Sequence, residues 1–179
     1  MKSKKTPLRQ FAFETKYLED NEDFLEHLSS HIGRVVIEFN MLEERLTALI
    51  CQFFINDIDA IGLIVTENMN YAAKIDLFDR YVKYIRKISS KEIAMHEKLV
   101  RELKESGRLR NLVVHADWSH SDLDGFTFVK MRMKNGKMDQ EFVQLDEDSL
   151  IHVRNTIIET YNAFDDYEDE FFRMRNSVD

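Results

Sequence analysis

The stretch "IGRVVIEFNMLEERLTALICQFF", residues 32–54, decides the fold. Its apolar residues Ile32, Val35, Val36, Phe39, Leu42, Leu46, Leu49, Ile50, Phe53 and Phe54 recur at spacings of three and four, the period of one helix face. Ser30 stands where an N-cap belongs. The pattern therefore predicts a long amphipathic helix, and the segments around it continue the theme. A short helix is expected before Ser30, with Leu18, Phe24 and Leu28 as its contacts. After a connector near "NDIDAIGLIVTENMN" (56–70), Ile75, Phe78, Val82 and Ile85 mark a helix over about 71–88. "SSK" at 89–91 breaks and recaps the chain, and a further helix over about 91–115 runs through Ile93, Leu99, Val100 and Leu103.

The period then changes. "GFTFVKMRMKNGKMDQEFVQL" (125–145) alternates around Asn135-Gly136, the strongest short-range hairpin signal, which predicts strands over 126–134 and 138–145. A last helix over 147–174 carries Leu150, Val153, Ile157, Tyr161, Phe164 and Phe171. Its stretch "DDYEDE" (165–170) reads as a solvated acidic face without metal-ligand spacing. The expectation is an all-α, up-and-down helical bundle with a small inserted β-hairpin near residues 126–145. It forms a single domain over 13–179, preceded by a flexible basic tail over 1–12 with Lys2, Lys4, Lys5 and Arg9.

Composition agrees with helices. Five glycines and one proline in 179 residues leave little punctuation for a many-stranded sheet. Cys51 is the sole cysteine and lies on an apolar helical pattern, so no disulfide framework is expected and a reducing, cytoplasmic setting is the simplest reading. No run of eighteen apolar residues exists, so no membrane span is expected. The formal charge of −8 argues against a generally nucleic-acid-binding surface. Residues 80–110 run the other way, with ten Lys or Arg against Glu92, Glu97, Glu102 and Glu105, a local +6. That band is either a helix face laced with pairs such as Glu97–Arg101 or a track for phosphates.

An arginine sits where an apolar residue is expected. On the 91–115 helix, Leu99, Val100, Leu103, Gly107, Arg110 and Val114 share one stripe. A guanidinium there needs a partner, because a buried unpaired charge is expensive. Glu43 lies on the core-facing stripe of the long helix and is the expected partner. Gly107 leaves room for a close neighbour or a ligand. Asn111 and His115 are i,i+4 neighbours. Arg110 and His115 are about 140° apart on an ideal helix, so they share a face only if the helix unwinds or a second wall joins them. Leu109 and Leu112 give the helix a second apolar side that a partner subunit would cover across a two-fold axis.

"RNLVVH" (110–115) resembles the Arg-polar-spacer-His signature of the HEPN superfamily, and "IEFNMLEERL" (37–46) is similar to a long helix in several of its families. The resemblance spans roughly residues 17–175 in architecture, but its specific motif is six residues. It implies a metal-independent endoribonuclease that acts as a homodimer on RNA, without a cofactor, in a toxin-like or antiviral-defence role, with an antitoxin or defence protein as partner. His115 would be the general base or acid, Arg110 would stabilise charge on the phosphate, Asn111 would orient the histidine or the substrate, and Glu43 would support Arg110. A toxin subgroup carries a modified tyrosine two residues after the histidine, and here that position is Asp117. His120 is an accessory candidate. Trp118 is either a base-stacking ring or, more simply, an anchor for the hairpin. His27, His31, His96 and His152 are dispersed, and Met131, Met133 and Met138 read as hairpin packing. The same resemblance admits another class: a non-catalytic module for protein interaction, regulation or nucleotide binding.

Overall fold

In the structure, a computed structural model describing residues 1–7, 21–54, 60–121 and 125–175, the apolar period of the opening stretch becomes helix α1, Asn21–Cys51. Leu28, Val35, Phe39, Leu42, Leu46, Leu49, Ile50 and Cys51 are its buried apolar residues, and from Val35 to Leu49 they recur at spacings of three and four. From Asn21 onward the expected short helix and the long helix are thus one; the part of the short helix before Asn21, with Leu18, lies outside the described residues. Ser30 is not an N-cap but an exposed mid-helix residue. Nothing at 29–31 forces a break, and Ser29 donates its hydroxyl to the Glu26 carbonyl at 2.7 Å inside the helix.

Helices α2 (Ala60–Thr66), α3 (Tyr71–Ser89), α4 (His96–Val114) and α5 (Glu147–Arg175) follow, with strands β1 (Ser3–Pro7), β2 (Asp117–Ser121), β3 (Phe126–Lys134) and β4 (Lys137–Gln144). The connector holds α2, and the 91–115 pattern becomes helical only from His96. Asn70 caps α3, accepting from the Ala73 amide at 2.9 Å, and Ser90 ends it in the left-handed region (φ 55°). None of the helices among the described residues is long and apolar enough to cross a membrane.

The chain divides into two compact units. The first comprises residues 1–36 and 109–154. It holds an antiparallel sheet of order β1-β4-β3-β2, with Leu28, Val35, Leu109, Val113, Thr127, Val143, Leu145, Leu150 and Val153 buried. The hairpin falls where the alternation places it, and Asn135 and Gly136 take the paired positive φ values (52° and 73°) of a two-residue turn. Two strands went unread. Ser3–Pro7, expected as flexible tail, pairs with β4 from Ser3↔Val143 to Pro7↔Asp139, and Lys4 lies 4.3 Å over the Phe126 ring. Pro7 is tolerated because β1 is an edge strand.

The second unit comprises residues 37–108 and 155–179, and its regular elements among the described residues are helices. Its centre is aromatic: Phe53 stacks on Tyr81 at 4.1 Å, and Phe78 meets Tyr167 edge-on at 5.5 Å. Gly62 brings α2 onto the end of α1 so closely that a Cβ would lie 2.4 Å from Cys51 Cα. Cys51 is accordingly a buried thiol. The acidic stretch at 165–170 is only partly a solvated face, since Asp165 and Glu168 hold Arg45 at 2.6 and 3.2 Å and Tyr167 is fully buried.

Candidate functional site

Helix α4 carries the motif at its end. Leu99, Leu103, Leu109 and Val113 are buried, and Arg110 is half-buried with its Nε inaccessible. The arginine on a core-facing stripe is therefore real, although Val114 is exposed. Of the second apolar side, Leu109 is 1% exposed and Leu112 is half-buried within this chain. Gly107 owes its lack of a side chain to Tyr71, whose ring a Cβ would meet at 2.9 Å and whose hydroxyl donates to the Leu103 carbonyl at 3.1 Å. No ligand is needed to explain that glycine.

Arg110 Nη1 donates to Asn111 Oδ1 at 3.0 Å, so the motif's first two residues are joined through their side chains. Asn111 orients the guanidinium in this state, whereas the sequence had offered His115 as its neighbour. The expected support residue Glu43 belongs to the second unit, where its Oε1 accepts from Lys74 Nζ at 2.7 Å. That lysine was not considered as a partner.

His115 is exposed and follows the last residue of α4. Its amide still donates to the Asn111 carbonyl at 3.0 Å, the i→i−4 bond of an unbroken helix. The helix does not unwind between Arg110 and His115, which removes one of the two ways in which they might share a face. Two residues later the backbone is already strand β2, where Asp117 pairs with Phe128 of β3. Trp118 Nε1 donates to the Val113 carbonyl at 2.9 Å, satisfying one of the acceptors a helix C-terminus leaves open. The indole is half-buried and is tied to the end of α4 by this bond. His115 therefore occupies a corner fixed on one side by α4 and on the other by β2. Asp117 is half-buried in that strand; His120 lies in β2, and its side chain is outside the described residues.

The +6 band over 80–110 is laced with carboxylates. Lys83 pairs with Asp79 (2.7 Å), Arg86 with Glu92 (2.8 Å) and Glu97 (3.5 Å), Lys98 with Glu102 (3.5 Å) and Arg108 with Glu105 (2.7 Å). Glu97 meets Arg86 across the α3–α4 connection, where spacing had suggested the i,i+4 Arg101.

One histidine set aside as dispersed is built into the second unit. His96 is 0% exposed, with Nε2 2.9 Å from Asp79 Oδ1 and Nδ1 2.9 Å from Tyr167 Oη. A carboxylate only accepts, so Nε2 carries the hydrogen and Nδ1 accepts from the tyrosine hydroxyl. Burial pushes the imidazole below its ordinary pKa, against the pull of Asp79. Burial alone would raise Asp79, but the bonds from Lys83 and His96 hold it below the usual carboxylate value. His96 sits three and four residues before Leu99 and Val100, so the helical period did carry the signal of its burial. Among the described residues, His, Cys, Asp and Glu form no group of three placed to hold a metal ion.

No family model matches this chain, and no curated protein or solved structure matches it either.

Proposed function

We propose that the chain is a metal-independent endoribonuclease of the HEPN type, a toxin-like or antiviral-defence effector acting in the cytoplasm as a homodimer. The observation that carries this reading is the placement of His115. It is exposed at a corner held by helix and strand, one turn beyond a guanidinium already oriented by Asn111. An imidazole titrates near neutrality and suits proton transfer, and a planar guanidinium suits phosphate oxygens.

In the proposed reaction, His115 takes the proton of an RNA 2′-hydroxyl. The freed oxygen attacks the adjacent phosphorus, forming a 2′,3′-cyclic phosphate, while the 5′-oxygen leaves and takes up a proton. Arg110 stabilises charge on the pentacoordinate phosphate. Because α4 stays helical through His115, one copy keeps Arg110 and His115 on different faces, which favours a composite cleft with a second copy supplying the opposite wall and the acid. A cognate antitoxin or defence protein would then act by covering that cleft.

The test is purified protein incubated with total RNA in EDTA, beside His115→Ala prepared identically, with the fragment ends analysed. Cyclic phosphate ends from wild type alone are the expected result. A second reading, a non-catalytic protein-interaction module, is favoured by α2, where Ile61, Leu63, Ile64 and Val65 are 41–73% exposed on a seven-residue helix. Intact RNA across several pools would move the assignment to that module.

A further inference from the structure

Residues 90–95, which connect α3 to α4, are fastened inside the second unit by side chains from both neighbouring helices. Ile93 is buried, and it is the connector's one buried side chain. Arg86 of α3 reaches Glu92 at 2.8 Å and Glu97 at 3.5 Å. Glu170 of α5 accepts from the Ala94 amide at 3.4 Å. The last fastening is His96, the first residue of α4, which joins Asp79 of α3 to Tyr167 of α5. Among these residue types only an imidazole ordinarily changes charge between pH 5 and pH 8.

The geometry resists that change. Nε2 already donates to Asp79, so an added proton has to go on Nδ1, which accepts from the Tyr167 hydroxyl. Nδ1–H and O–H would then face each other across 2.9 Å, two donors with no acceptor between them. The hydroxyl can turn its hydrogen away, but His96 is its one hydrogen-bond partner among the described residues and Tyr167 is 0% exposed. The O–H is then left buried and unsatisfied.

The charges around the ring do not repair this. Asp79 on α3, Glu97 on α4 and Glu170 on α5 favour an imidazolium, while Arg86, Lys83 and the positive end of α4 oppose it. Asp79 is shared with Lys83 at 2.7 Å, and Glu97 with Arg86. Phe78 and Tyr167 pack their rings on the imidazole, with centroids at 5.2 and 5.9 Å, and keep water from it.

We propose that His96 is an acid-operated latch: uptake of a proton from solvent at Nδ1 breaks the Asp79–His96–Tyr167 tie and frees residues 90–97 while the rest of the second unit stays folded. In the released state the imidazolium and the tyrosine hydroxyl both meet water. Ile93 withdraws, and the edge-on ring pair of Phe78 and Tyr167 is uncovered as an apolar surface. Release stays local because Leu99, Val100 and Leu103 hold the remainder of α4 through their own burial.

Hydrogen exchange of the full chain, read by peptide mass spectrometry at pH 7.5 and pH 5.0 and corrected for intrinsic rates, tests the latch. Opening that takes up one proton gains up to about tenfold per pH unit below the unfolded histidine value. The amides of His96 and Leu99, which bond the Ile93 and Met95 carbonyls, should lose about tenfold in protection. Those of 78–85 and 164–171 should change by no more than about twofold. His96→Gln takes up no proton and should abolish the pH response. If that variant does not fold, Tyr167→Phe keeps the ring but removes the opposing O–H, so the closed state accepts the proton and the response should shrink to about threefold or less. A long-range proton–nitrogen spectrum at pH 7.5 should show His96 protonated on Nε2 with Nδ1 bare. An Nδ1-protonated ring, unchanged protection at 96–99, or an equal response in both variants overturns the proposal. Equal loss of protection throughout the second unit also overturns it and leaves a titration of overall stability in its place.

Discussion

Helix α4 begins with one histidine and is followed directly by another, and the two have opposite surroundings. His96 is sealed in the second unit with both ring nitrogens bonded, one to Asp79 and one to Tyr167. His115 is exposed at the corner where α4 turns into β2 in the first unit. The same side chain thus serves packing at one end and is open to chemistry at the other. Burial and hydrogen bonding decide which, not the residue type.

The contrast can be broken by mutation. His96→Ala should have the larger effect on stability, because it strands the Asp79 carboxylate and the buried Tyr167 hydroxyl and leaves a cavity. A loss of about 2–3 kcal/mol is expected, allowing for the partial exposure of Asp79. At roughly 2–4 °C per kcal/mol for a chain of this size, calorimetry should show a drop of about 5–10 °C. His115→Ala should leave the same transition within about 1 °C, as surface changes generally do. A matched fall in both variants would erase the distinction drawn between the two sites.

The next effect is a pH dependence. The folded pKa of His96 lies below its unfolded value, so the unfolded chain binds the extra proton first. Its contribution is fully present above the unfolded value of about 6.5 and is lost as pH falls from there through the folded pKa. Thermal midpoints between pH 7.5 and pH 5 should decline in wild type and decline less in His96→Gln. Parallel curves would mean that His96 is not the group titrating. The smallest effect belongs to Trp118→Phe, which keeps a ring but removes the bond to the Val113 carbonyl. It should destabilise by about 1 kcal/mol. If the β2 corner positions His115, RNA cleavage should fall more than stability does, in kcat rather than KM.

Much of this was legible in the sequence, for reasons that differ by element. The hairpin was readable because Asn135-Gly136 takes left-handed backbone that few other pairs adopt without strain. The long helices were readable because their apolar period is strong, although Ser29-Ser30 was misread as a boundary where only weak propensity stood. β1 and β2 were not readable. Ser3–Pro7 has no apolar alternation, and what makes it a strand is the open edge of β4 some 140 residues away in sequence, estimated from the Ser3↔Val143 pair. At the motif, the period placed Arg110 partly inside and could not choose its partner. Asn111 and Lys74 are short-range and interhelical choices that only geometry makes. His96 was passed over because it was judged by its distance from other histidines rather than by its place on the Leu99–Val100 stripe.

The edge strand has a further consequence, for the order of events during synthesis. Ser3–Pro7 leaves the ribosome long before the strand it pairs with is complete at Gln144. Closing so long a loop is entropically unfavourable, and slow relative to local helix and hairpin formation. Until then β4 has one open edge, to which a neighbouring nascent chain's β1 can add in place of its own. Exchange of this first strand between copies is therefore the misassembly to which the protein is most exposed.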